Sequence, residues 1–433
     1  MLAEILSVYS KDNKYLILNP QIPAWIVTNL VGVVAIKEYA ECLSFEKTAK
    51  KITSLNQTLQ KQSVIEFLKK AENSSLFEEL SDSSHIHKPY FLSGLYLNMT
   101  KKCNLKCIYC FAASRTESKY PNLTINDYTK VLNSAKKLCR NEMNIVFTGG
   151  EPLLSENTIP VAKYAKKIGF SPRLLTNATL ITEKNIRELT SIFDLFKISM
   201  DGSSEEKHDY YRGQGSYKKT LQAIELLKSC NANIQVAMTV TKENLIDISN
   251  MNKKWGKMLT YQPLFPIGRA KNNETVNALS GSEYYEALCV NERINPYADI
   301  ENIINAHKAN NSIMKCSLGD GELSISCTGD VYPCQLLHND EFYLGNIHEN
   351  KLEDIYYSQK NNMFKNHTVE CIDTCKKCDF KYLCGGACQA RHYSETGSLD
   401  KAGSFCEYEK KGIIMGNSIS IMKKSRMNGR KNP

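Results

Sequence analysis

Three closely spaced cysteines could hold an iron–sulfur cluster. Cys103, Cys107 and Cys110 form a C-x3-C-x2-C loop. Their thiolates are soft ligands that suit iron–sulfur clusters and also zinc. A structural zinc site has four protein ligands, and this loop supplies three. Three thiolates on one loop can hold three irons of a four-iron cluster and leave the fourth iron for another ligand.

A second group of cysteines occupies the C-terminal part of the chain. Nine of the sixteen cysteines lie between Cys316 and Cys406. Cys375 and Cys378 have the C-x2-C spacing of zinc sites, so zinc is an alternative metal for this group. Two separate groups predict two kinds of metal site. The scattered cysteines are predicted to be small apolar core residues: Cys42, Cys139, Cys230 and Cys289.

The chain that positions these cysteines alternates between strands and helices from Leu92 onward. The alternation predicts an α/β fold in which crossover helices connect a parallel sheet. Six strand–helix units in about 175 residues predict a partial (β/α)6 TIM barrel rather than the full eight units. The predicted strands are Leu95–Met99, Asn144–Phe147, Arg173–Thr176, Leu195–Met200, Ile234–Val240 and Leu259–Gln262.

Short polar motifs follow the second, third and fourth predicted strands. Functional loops lie at this edge of such barrels, because the carboxyl ends of parallel strands meet there. Adjacent glycines let the backbone approach a ligand closely, and an arginine suits bidentate binding of a carboxylate. The residues of interest in these motifs are Gly149, Gly150, Glu151, Asn177, Ser199 and Arg212, to which the resemblance described next assigns cofactor binding.

The cysteine loop and these motifs together resemble the radical S-adenosylmethionine superfamily. The resemblance includes the aromatic Tyr109 before the last cysteine and the GGEP motif after the second strand. It also includes a T-N-x-x-L turn after the third strand, in which Ala178 replaces the usual glycine. Each motif stands in the expected order and follows a predicted strand.

This resemblance implies a cofactor and a reaction. Cys103, Cys107 and Cys110 would hold a 4Fe-4S cluster whose open iron binds S-adenosylmethionine. The GGEP loop would meet the amino group of that cofactor, and Ser199 and Arg212 would contact its carboxylate. When bound, the cofactor supplies a 5′-deoxyadenosyl radical that abstracts a hydrogen atom from the substrate.

The second cysteine group resembles the SPASM extension of radical enzymes that modify peptides and proteins. The resemblance implies two auxiliary 4Fe-4S clusters. It assigns Cys316, Cys334 and Cys388 to the first cluster, which then lacks one ligand. Cys327 is our predicted fourth ligand, while Cys371 and an open iron are the alternatives. The ligands implied for the second cluster are Cys375, Cys378, Cys384 and Cys406.

Residues 1–85 are predicted to form a separate module. Two strands and three helices predict a small winged-helix-like domain. Before a SPASM enzyme, such a domain resembles the PqqD-like element that captures a leader peptide by strand addition. The predicted elements are the hairpin Glu4–Tyr9 and Lys14–Asn19 and helices over Trp25–Tyr39, Phe45–Ile52 and about Leu59–Ala71.

Length and composition limit the possible domain organisation, location and partners of the protein. The 433 residues divide into a leader-recognition domain (1–85), a radical barrel (90–290), a SPASM domain (300–410) and a helix with a basic tail (411–433). The apolar run Ile26–Ile36 is shorter than the ~20 residues of a membrane span, and the N-terminus shows no signal peptide. The net charge of +9 is spread along the chain and does not indicate nucleic-acid binding. We expect a cytoplasmic enzyme without a membrane or nucleic-acid partner.

The resemblance predicts an oxidoreductase that modifies a ribosomally made precursor peptide. The preferred reaction forms a thioether between a cysteine sulfur and a carbon atom, and carbon–carbon crosslinking is an alternative. Formylglycine formation in sulfatases is less favoured, because Gln335 follows Cys334 where sulfatase maturases carry an aspartate. The expected partners are the precursor peptide and a low-potential electron donor such as flavodoxin or ferredoxin. No catalytic base is assigned from the sequence.

Overall fold

The computed structural model describes residues 6–11, 13–22, 24–78, 91–114, 118–140, 142–289, 316–407 and Lys410. Residues 79–90, between the first module and the barrel, lie outside the described residues. The predicted C-terminal helix and basic tail over 411–433 lie outside them as well.

The N-terminal module is an antiparallel sheet covered on one face by helices. Its strands are β1 (Ser7–Lys11), β2 (Lys14–Asn19) and β3 (Ala24–Thr28), in the order β1-β2-β3. Ile17 of β2 is fully buried in the core that the sheet shares with the helices. These helices are α1 (Leu30–Cys42), α2 (Phe45–Leu55) and α3 (Lys61–Glu72).

The third strand corrects the prediction of a helix over Trp25–Tyr39. Trp25 lies in β3, where it pairs with Leu18, and the helix begins only at Leu30. Pairing with β2 overrides the local helical spacing. Asn29 marks the true start of the helix, since its side chain accepts a hydrogen bond from the Gly32 amide at 2.9 Å.

The barrel strands confirm the predicted parallel sheet, and each boundary lies within two residues of its prediction. They run in the order β4-β5-β6-β7-β8-β9. The connecting helices pack against the outer face of the sheet. The strands are β4 (Gly94–Asn98), β5 (Asn144–Thr148), β6 (Ser171–Thr176), β7 (Leu195–Ser199), β8 (Ile234–Val240) and β9 (Leu259–Pro263). The helices are α4 (Ile125–Leu138), α5 (Thr158–Lys167), α6 (Ile186–Ile192), α7 (Glu205–Arg212), α8 (Ser216–Ser229) and α9 (Ile248–Trp255).

Side chains alternate between the helices and the lumen along each barrel strand. Leu95 and Leu97 of β4 are fully buried beneath the helices, together with Phe147 of β5. Each such side chain contributes about 1.5–3 kcal/mol by its burial. The alternate positions face the lumen and include Tyr96 and Arg173, so the lumen is polar.

The C-terminal region extends the same sheet, which the sequence did not predict. Strand β10 (Glu322–Ile325) pairs in parallel with β4, and β11 (Asp330–Tyr332) and β12 (Gly345–Asn346) add antiparallel strands beyond it. The cysteine-rich region is thereby joined to the barrel by main-chain hydrogen bonds. Short helices complete the described part: α10 (Gly281–Cys289), α11 (Leu352–Tyr356), α12 (Gln359–Lys365), α13 (Asp373–Lys376), α14 (Lys381–Cys384) and α15 (Gln389–Thr396).

The second face of the N-terminal sheet packs on the cysteine-rich region. Ser7 Oγ and Tyr9 OH both donate to Asp379 Oδ2, at 2.6 and 2.7 Å. The rings of Tyr9 and Phe380 lie 4.8 Å apart, and Leu18 of β2 is buried against the same segment. The module is therefore fixed beside the cysteines that flank Phe380 in the chain. In the described part of the chain, no helix is both long and apolar enough to span a bilayer.

Candidate iron–sulfur and cofactor site

The loop that carries the first three cysteines is held at the carboxyl end of the barrel. The Ile108 amide donates to Tyr211 O at 3.0 Å, and the Cys110 carbonyl accepts from the Arg269 amide at 3.1 Å. Burial raises the pKa of the Cys107 thiol, while the guanidinium of Arg212 lowers it. The thiols of Cys103 and Cys110 also raise this pKa, so the three cysteines lie close enough to interact.

The two glycines of the GGEP motif let its loop lie directly against the cysteine loop. The Gly150 amide donates to Thr100 O at 2.7 Å. A Cβ on Gly150 would lie 2.1 Å from Lys102 O, and one on Gly149 would lie 2.5 Å from Thr100 O. Gly149 also has a φ of +137°, which side chains rarely adopt. The glycines are therefore needed for the approach of two backbones.

We predict that Gly150→Ala displaces the cysteine loop. The added methyl group cannot be accommodated by rotating a side chain, because it meets backbone atoms. Overpacking of this kind costs about 1–3 kcal/mol. We expect S-adenosylmethionine affinity to fall by about tenfold or more, measured by anaerobic equilibrium dialysis of the iron-loaded protein.

The matched control for this prediction is Gly94→Ala. Gly94 begins β4, at the opposite end of that strand from the cysteine loop, and a Cβ there would meet nothing within 4 Å. This variant should bind the cofactor like the wild type. Equal affinities for the two variants would contradict the role of Gly150.

Glu151 and Asn177 connect the second and third strand ends to the cysteine loop. The Glu151 carboxylate is fully buried and accepts from Thr176 Oγ1 at 2.8 Å and from the Asn177 amide at 2.9 Å. Burial raises the pKa of this carboxyl, and those hydrogen bonds lower it. The Asn177 side chain donates to Asn104 Oδ1 at 3.0 Å and lies 4.0 Å from Cys103 Sγ. In the described structure the Glu151 side chain serves to hold the loops together.

Ala178 adopts the backbone conformation for which its family pattern uses glycine. Its φ is +64°, in the left-handed region, and its side chain is fully buried. The Ala178 amide donates to Thr176 Oγ1 at 2.9 Å. The turn is retained in spite of the substitution, at a cost of about 1 kcal/mol in backbone strain.

Arg212 lies beside the cysteine loop in a buried network that the sequence did not reveal. It forms an ion pair with Asp201, and its second amino group donates to Tyr109 OH at 2.9 Å. Tyr109 OH in turn donates to Asp201, which also accepts from the Thr239 amide at 2.8 Å. A further nitrogen of Arg212 lies 4.0 Å from Cys107 Sγ. Asp201 lies two residues after the fourth barrel strand, β7. This position at a strand end is the one sequence signal that could have indicated its role in the network.

The structure brings together the thiols assigned to the first auxiliary cluster. Cys316, Cys334 and Cys388 pack around one apolar cluster that includes Tyr332. Burial, together with the neighbouring Cys388, raises the pKa of Cys316 to about 11. Cys334 is influenced by both other thiols in the same direction. The three residues come from separate parts of the chain, and the fold unites them.

Cys327 does not join this set. Strands β10 and β11 form a hairpin in which Ser324 pairs with Tyr332, so Cys334 lies opposite Glu322. Cys327 is on the turn at the other end of the hairpin, about 15 Å away at ~3.3 Å per residue. Its buried thiol lies near Tyr128 of α4 instead. The predicted fourth ligand is therefore separated from Cys334 by the length of a strand.

The second auxiliary set also converges. Burial, together with the neighbouring thiols of Cys406 and Cys378, raises the pKa of Cys375 to about 12. Cys378 and Cys384 flank Phe380 and pack with it against the N-terminal sheet. The second set is thus bordered by the N-terminal module.

The residues present fit iron–sulfur clusters. Each set supplies soft sulfur donors in a largely buried surrounding, and each thiolate of such a cluster binds a different iron. The sulfurs then need not converge on one point, and within the described residues no three metal-binding side chains do so. Tight glycine contacts and the Asp201–Arg212 pair hold the first loop in a fixed position.

Glu322 is a carboxylate beside the first auxiliary thiol set that sequence analysis missed. It begins β10 and is half-buried, and its carboxylate accepts a hydrogen bond from the Gln335 amide. Burial raises its pKa to about 7. It acts electrostatically on Tyr96 of β4 and on two thiols of the first auxiliary set, Cys316 and Cys334. Only the pairing of β10 with β4 brings this carboxylate to the barrel.

The barrel and its thiol sets define an iron–sulfur enzyme of the α/β class. Residues 97–253 match the radical SAM superfamily, and residues 316–379 match SPASM, an iron–sulfur cluster-binding domain. The chain is a radical S-adenosylmethionine enzyme with a SPASM domain. Its cofactors are 4Fe-4S clusters and S-adenosyl-L-methionine.

Characterised relatives carry out different reactions. An AdoMet-dependent heme synthase of Methanosarcina barkeri is 26% identical over 72% of this chain and 95% of its own length. The subtilosin biosynthesis protein AlbA of Bacillus subtilis is 28% identical over 66% of this chain and 65% of its own. The structure of Streptococcus suis SuiB bound to its precursor peptide SuiA covers 93% of this chain and 98% of SuiB, with a TM-score of 0.57 and 14% identity.

Proposed function

We propose that this enzyme crosslinks a ribosomally made precursor peptide, with a cysteine thioether as the preferred product. The observation that carries the proposal is the union of a radical barrel with two buried thiol sets and a peptide-sized N-terminal module in one packed chain. The likeness to AlbA, a bacteriocin biosynthesis protein, supports a peptide substrate. We assign the first loop to the cofactor-binding cluster and the two C-terminal sets to auxiliary clusters.

The N-terminal module is proposed to bind the leader segment of the precursor. Its sheet order leaves the outer edges of β1 and β3 without a partner strand among the described residues. An extended peptide can add to such an edge through main-chain hydrogen bonds. The match to SuiB covers 93% of this chain and leaves about 30 of its 433 residues unmatched. Because the module has 85 residues, most of it lies within the matched region.

The proposed electron donor is a low-potential flavodoxin or ferredoxin. Cys103 is exposed, and it is flanked by exposed lysines at 101, 102 and 106. A positive surface next to the cluster loop would favour the approach of an acidic donor.

We predict a loss of two hydrogens from the peptide for each bond formed. The test incubates the reconstituted enzyme without oxygen with S-adenosylmethionine, a reductant and a candidate precursor, namely a short cysteine-containing peptide sought among the reading frames next to the gene. Mass spectrometry measures the peptide, and chromatography measures 5′-deoxyadenosine.

Controls separate the alternatives. A precursor in which serine replaces the cysteines should lose the mass change if the bond is a thioether, and keep it if the bond joins two carbons. Formylglycine formation would convert one cysteine without a crosslink, which thiol labelling detects. An unchanged peptide mass beside 5′-deoxyadenosine production would refute the proposal.

A further inference from the structure

We propose that the Glu322 carboxylate is the fourth protein ligand of the first auxiliary iron–sulfur cluster. This inference rests on the part of the proposed function that assigns Cys316, Cys334 and Cys388 to that cluster, and it does not depend on the peptide. A four-iron cluster presents four irons to the protein, and the three thiols can bind three of them. The remaining iron needs a donor on the same side of the fold.

The hairpin of β10 and β11 turns Glu322 to the same side as the thiols. Leu323 packs into the barrel core, so Glu322 faces the other way. That other face carries Tyr332, which packs with the three thiols in one apolar cluster. In the register of the hairpin Tyr332 lies opposite Ser324, and two residues further along Cys334 lies opposite Glu322. Side chains of residues that lie opposite each other on two antiparallel strands are neighbours on one face.

Hydrogen bonds tie Glu322 to the chain beside two of these thiols. The Glu322 amide donates to the carbonyl of Ser317, the residue after Cys316, at 3.2 Å. The carboxylate accepts from the amide of Gln335, the residue after Cys334. It lies within electrostatic reach of both thiols, since it raises the pKa of each. The side chain is therefore held between two members of the set.

The Glu322 carboxylate has acceptor capacity left for a metal. The Gln335 amide uses one of its lone pairs, and among the described residues no lysine or arginine forms a salt bridge with it. A carboxylate inside a protein is normally paired with a cation or bound to a metal, because an isolated charge is poorly solvated there. Three thiolates beside it make this requirement stronger. Bound iron would supply the missing positive charge.

The two cysteines that the sequence offered as the fourth ligand lie away from the set. Cys327 is on the turn at the far end of the hairpin, and its thiol lies near Tyr128. Cys371 is four residues before Cys375 of the second set, and its Sγ lies 3.9 Å from Asn366 O. Neither cysteine packs in the apolar cluster that contains the three thiols.

One histidine also lies near the set. His338 stacks on Tyr332 with ring centroids 4.2 Å apart, and its Nε2 lies 2.8 Å from Ser324 Oγ. The imidazole is thus engaged at the level of the Ser324–Tyr332 pair, whereas Glu322 lies at the level of Cys334. The geometry therefore favours the carboxylate over the imidazole.

A carboxylate ligand makes one iron of the cluster different from the other three. Oxygen is a harder donor than thiolate sulfur and suits the iron of such a cluster less well. We therefore expect this iron to be the first that the cluster loses on oxidation. With Glu322 bound, the cluster has no open iron for a thiol of the peptide, and its task in the enzyme is electron transfer.

The test uses the full chain with Cys103, Cys107 and Cys110 replaced by alanine, because the open iron of the cofactor-binding cluster would give the same signal. Glu322→Gln and Glu322→Cys are added separately to this parent, and each protein is reconstituted without oxygen with iron and sulfide. Ferricyanide then takes one electron from a cluster that releases one ferrous ion, which leaves a three-iron cluster. EPR spectroscopy follows the three-iron cluster over time, and chemical analysis gives iron and sulfide per chain.

We expect the three-iron cluster to form at least about tenfold faster in Glu322→Gln than in the parent, the lower limit for losing even a partner of a metal ligand. Glu322→Cys should form it more slowly than the parent, because a thiolate is the better ligand for this iron. Both variants should hold the parent's iron and sulfide before oxidation. A residue that only supports the fold would not be improved by cysteine.

Four further variants of the same parent are the controls. Glu341→Gln removes an exposed carboxylate of the same region, which accepts from Tyr393 OH. Cys327→Ala, Cys371→Ala and His338→Gln remove the other candidate donors. All four should form the three-iron cluster at the rate of the parent.

Equal rates in the parent, Glu322→Gln and Glu322→Cys would overturn the inference, because the fourth iron would then be open. Faster formation in one of the three donor variants would also overturn it, as would loss of all iron from both Glu322 variants. A parent that binds no four-iron cluster would instead refute the assignment of the C-terminal thiols, and with it that part of the proposed function.

Discussion

Replacing Cys103, Cys107 and Cys110 together by alanine is expected to abolish cleavage of S-adenosylmethionine. The three thiols share one loop, which is separate in the fold from both C-terminal sets. The iron content should fall by about one third, the share of one four-iron cluster among three. Chromatography of 5′-deoxyadenosine and iron analysis of the anaerobically purified protein measure both effects.

A matched control replaces three cysteines that lie outside the sets. Cys42 lies on the first module, and Cys139 and Cys230 follow two of the outer helices of the barrel. Cys230 is exposed. Their joint replacement by alanine should leave the iron content and cofactor cleavage unchanged. Cleavage that survives in the first variant, or iron lost equally from both, would show that the radical site is elsewhere.

Asp201→Ala is expected to have the largest effect on stability among single substitutions near the site. Asp201 is fully buried, and its partner Arg212 is almost as inaccessible. Removing one partner leaves a buried charge without compensation, which costs about 3–5 kcal/mol. At 2–4 °C per kcal/mol, the thermal midpoint should fall by about 6–20 °C. Anaerobic calorimetry of the iron-loaded protein measures the midpoint.

The comparison for Asp201 is an exposed ion pair of the same barrel. Asp194 and Lys166 are 3.0 Å apart, and about 40% of each side chain is exposed. Such a pair contributes less than about 1 kcal/mol, so Asp194→Ala should hardly change the midpoint. Equal shifts for the two variants would contradict the importance of the buried network. Loss of Asp201 should also loosen Tyr109 and Arg212, and thereby lower cofactor affinity.

The barrel was predictable because its signals are local. Each strand boundary follows from a short apolar run between turn residues, and the crossover rule then fixes parallel pairing. The rule also places the ends of the strands together, so the GGEP motif and the cysteine loop could be expected to meet. The hydrogen bonds from the Gly150 amide to Thr100 O and from the Glu151 amide to Lys102 O, at 2.7 and 2.9 Å, agree with that expectation at the level of the backbone.

Pairing between distant segments could not be predicted. Strand β3 resembles a helix in sequence because Ile26 fits the apolar spacing of the helix that follows. Strand β10 lies more than 200 residues after β4, and no local pattern indicates that Glu322 will pair with Gly94. Cys327 was chosen as a ligand by its proximity in sequence to Cys334, yet a hairpin separates residues that are close in the chain.

The sequence by itself determined which side chains can bind iron and in which loops they lie, because ligand type and spacing within one loop are local properties. Only the tertiary structure decided which distant residues share a site. It joined Cys316, Cys334 and Cys388, paired Asp201 with Arg212 and placed Glu322 beside Cys334. The physical reason is that burial and strand register set these distances, and both depend on the whole packed chain.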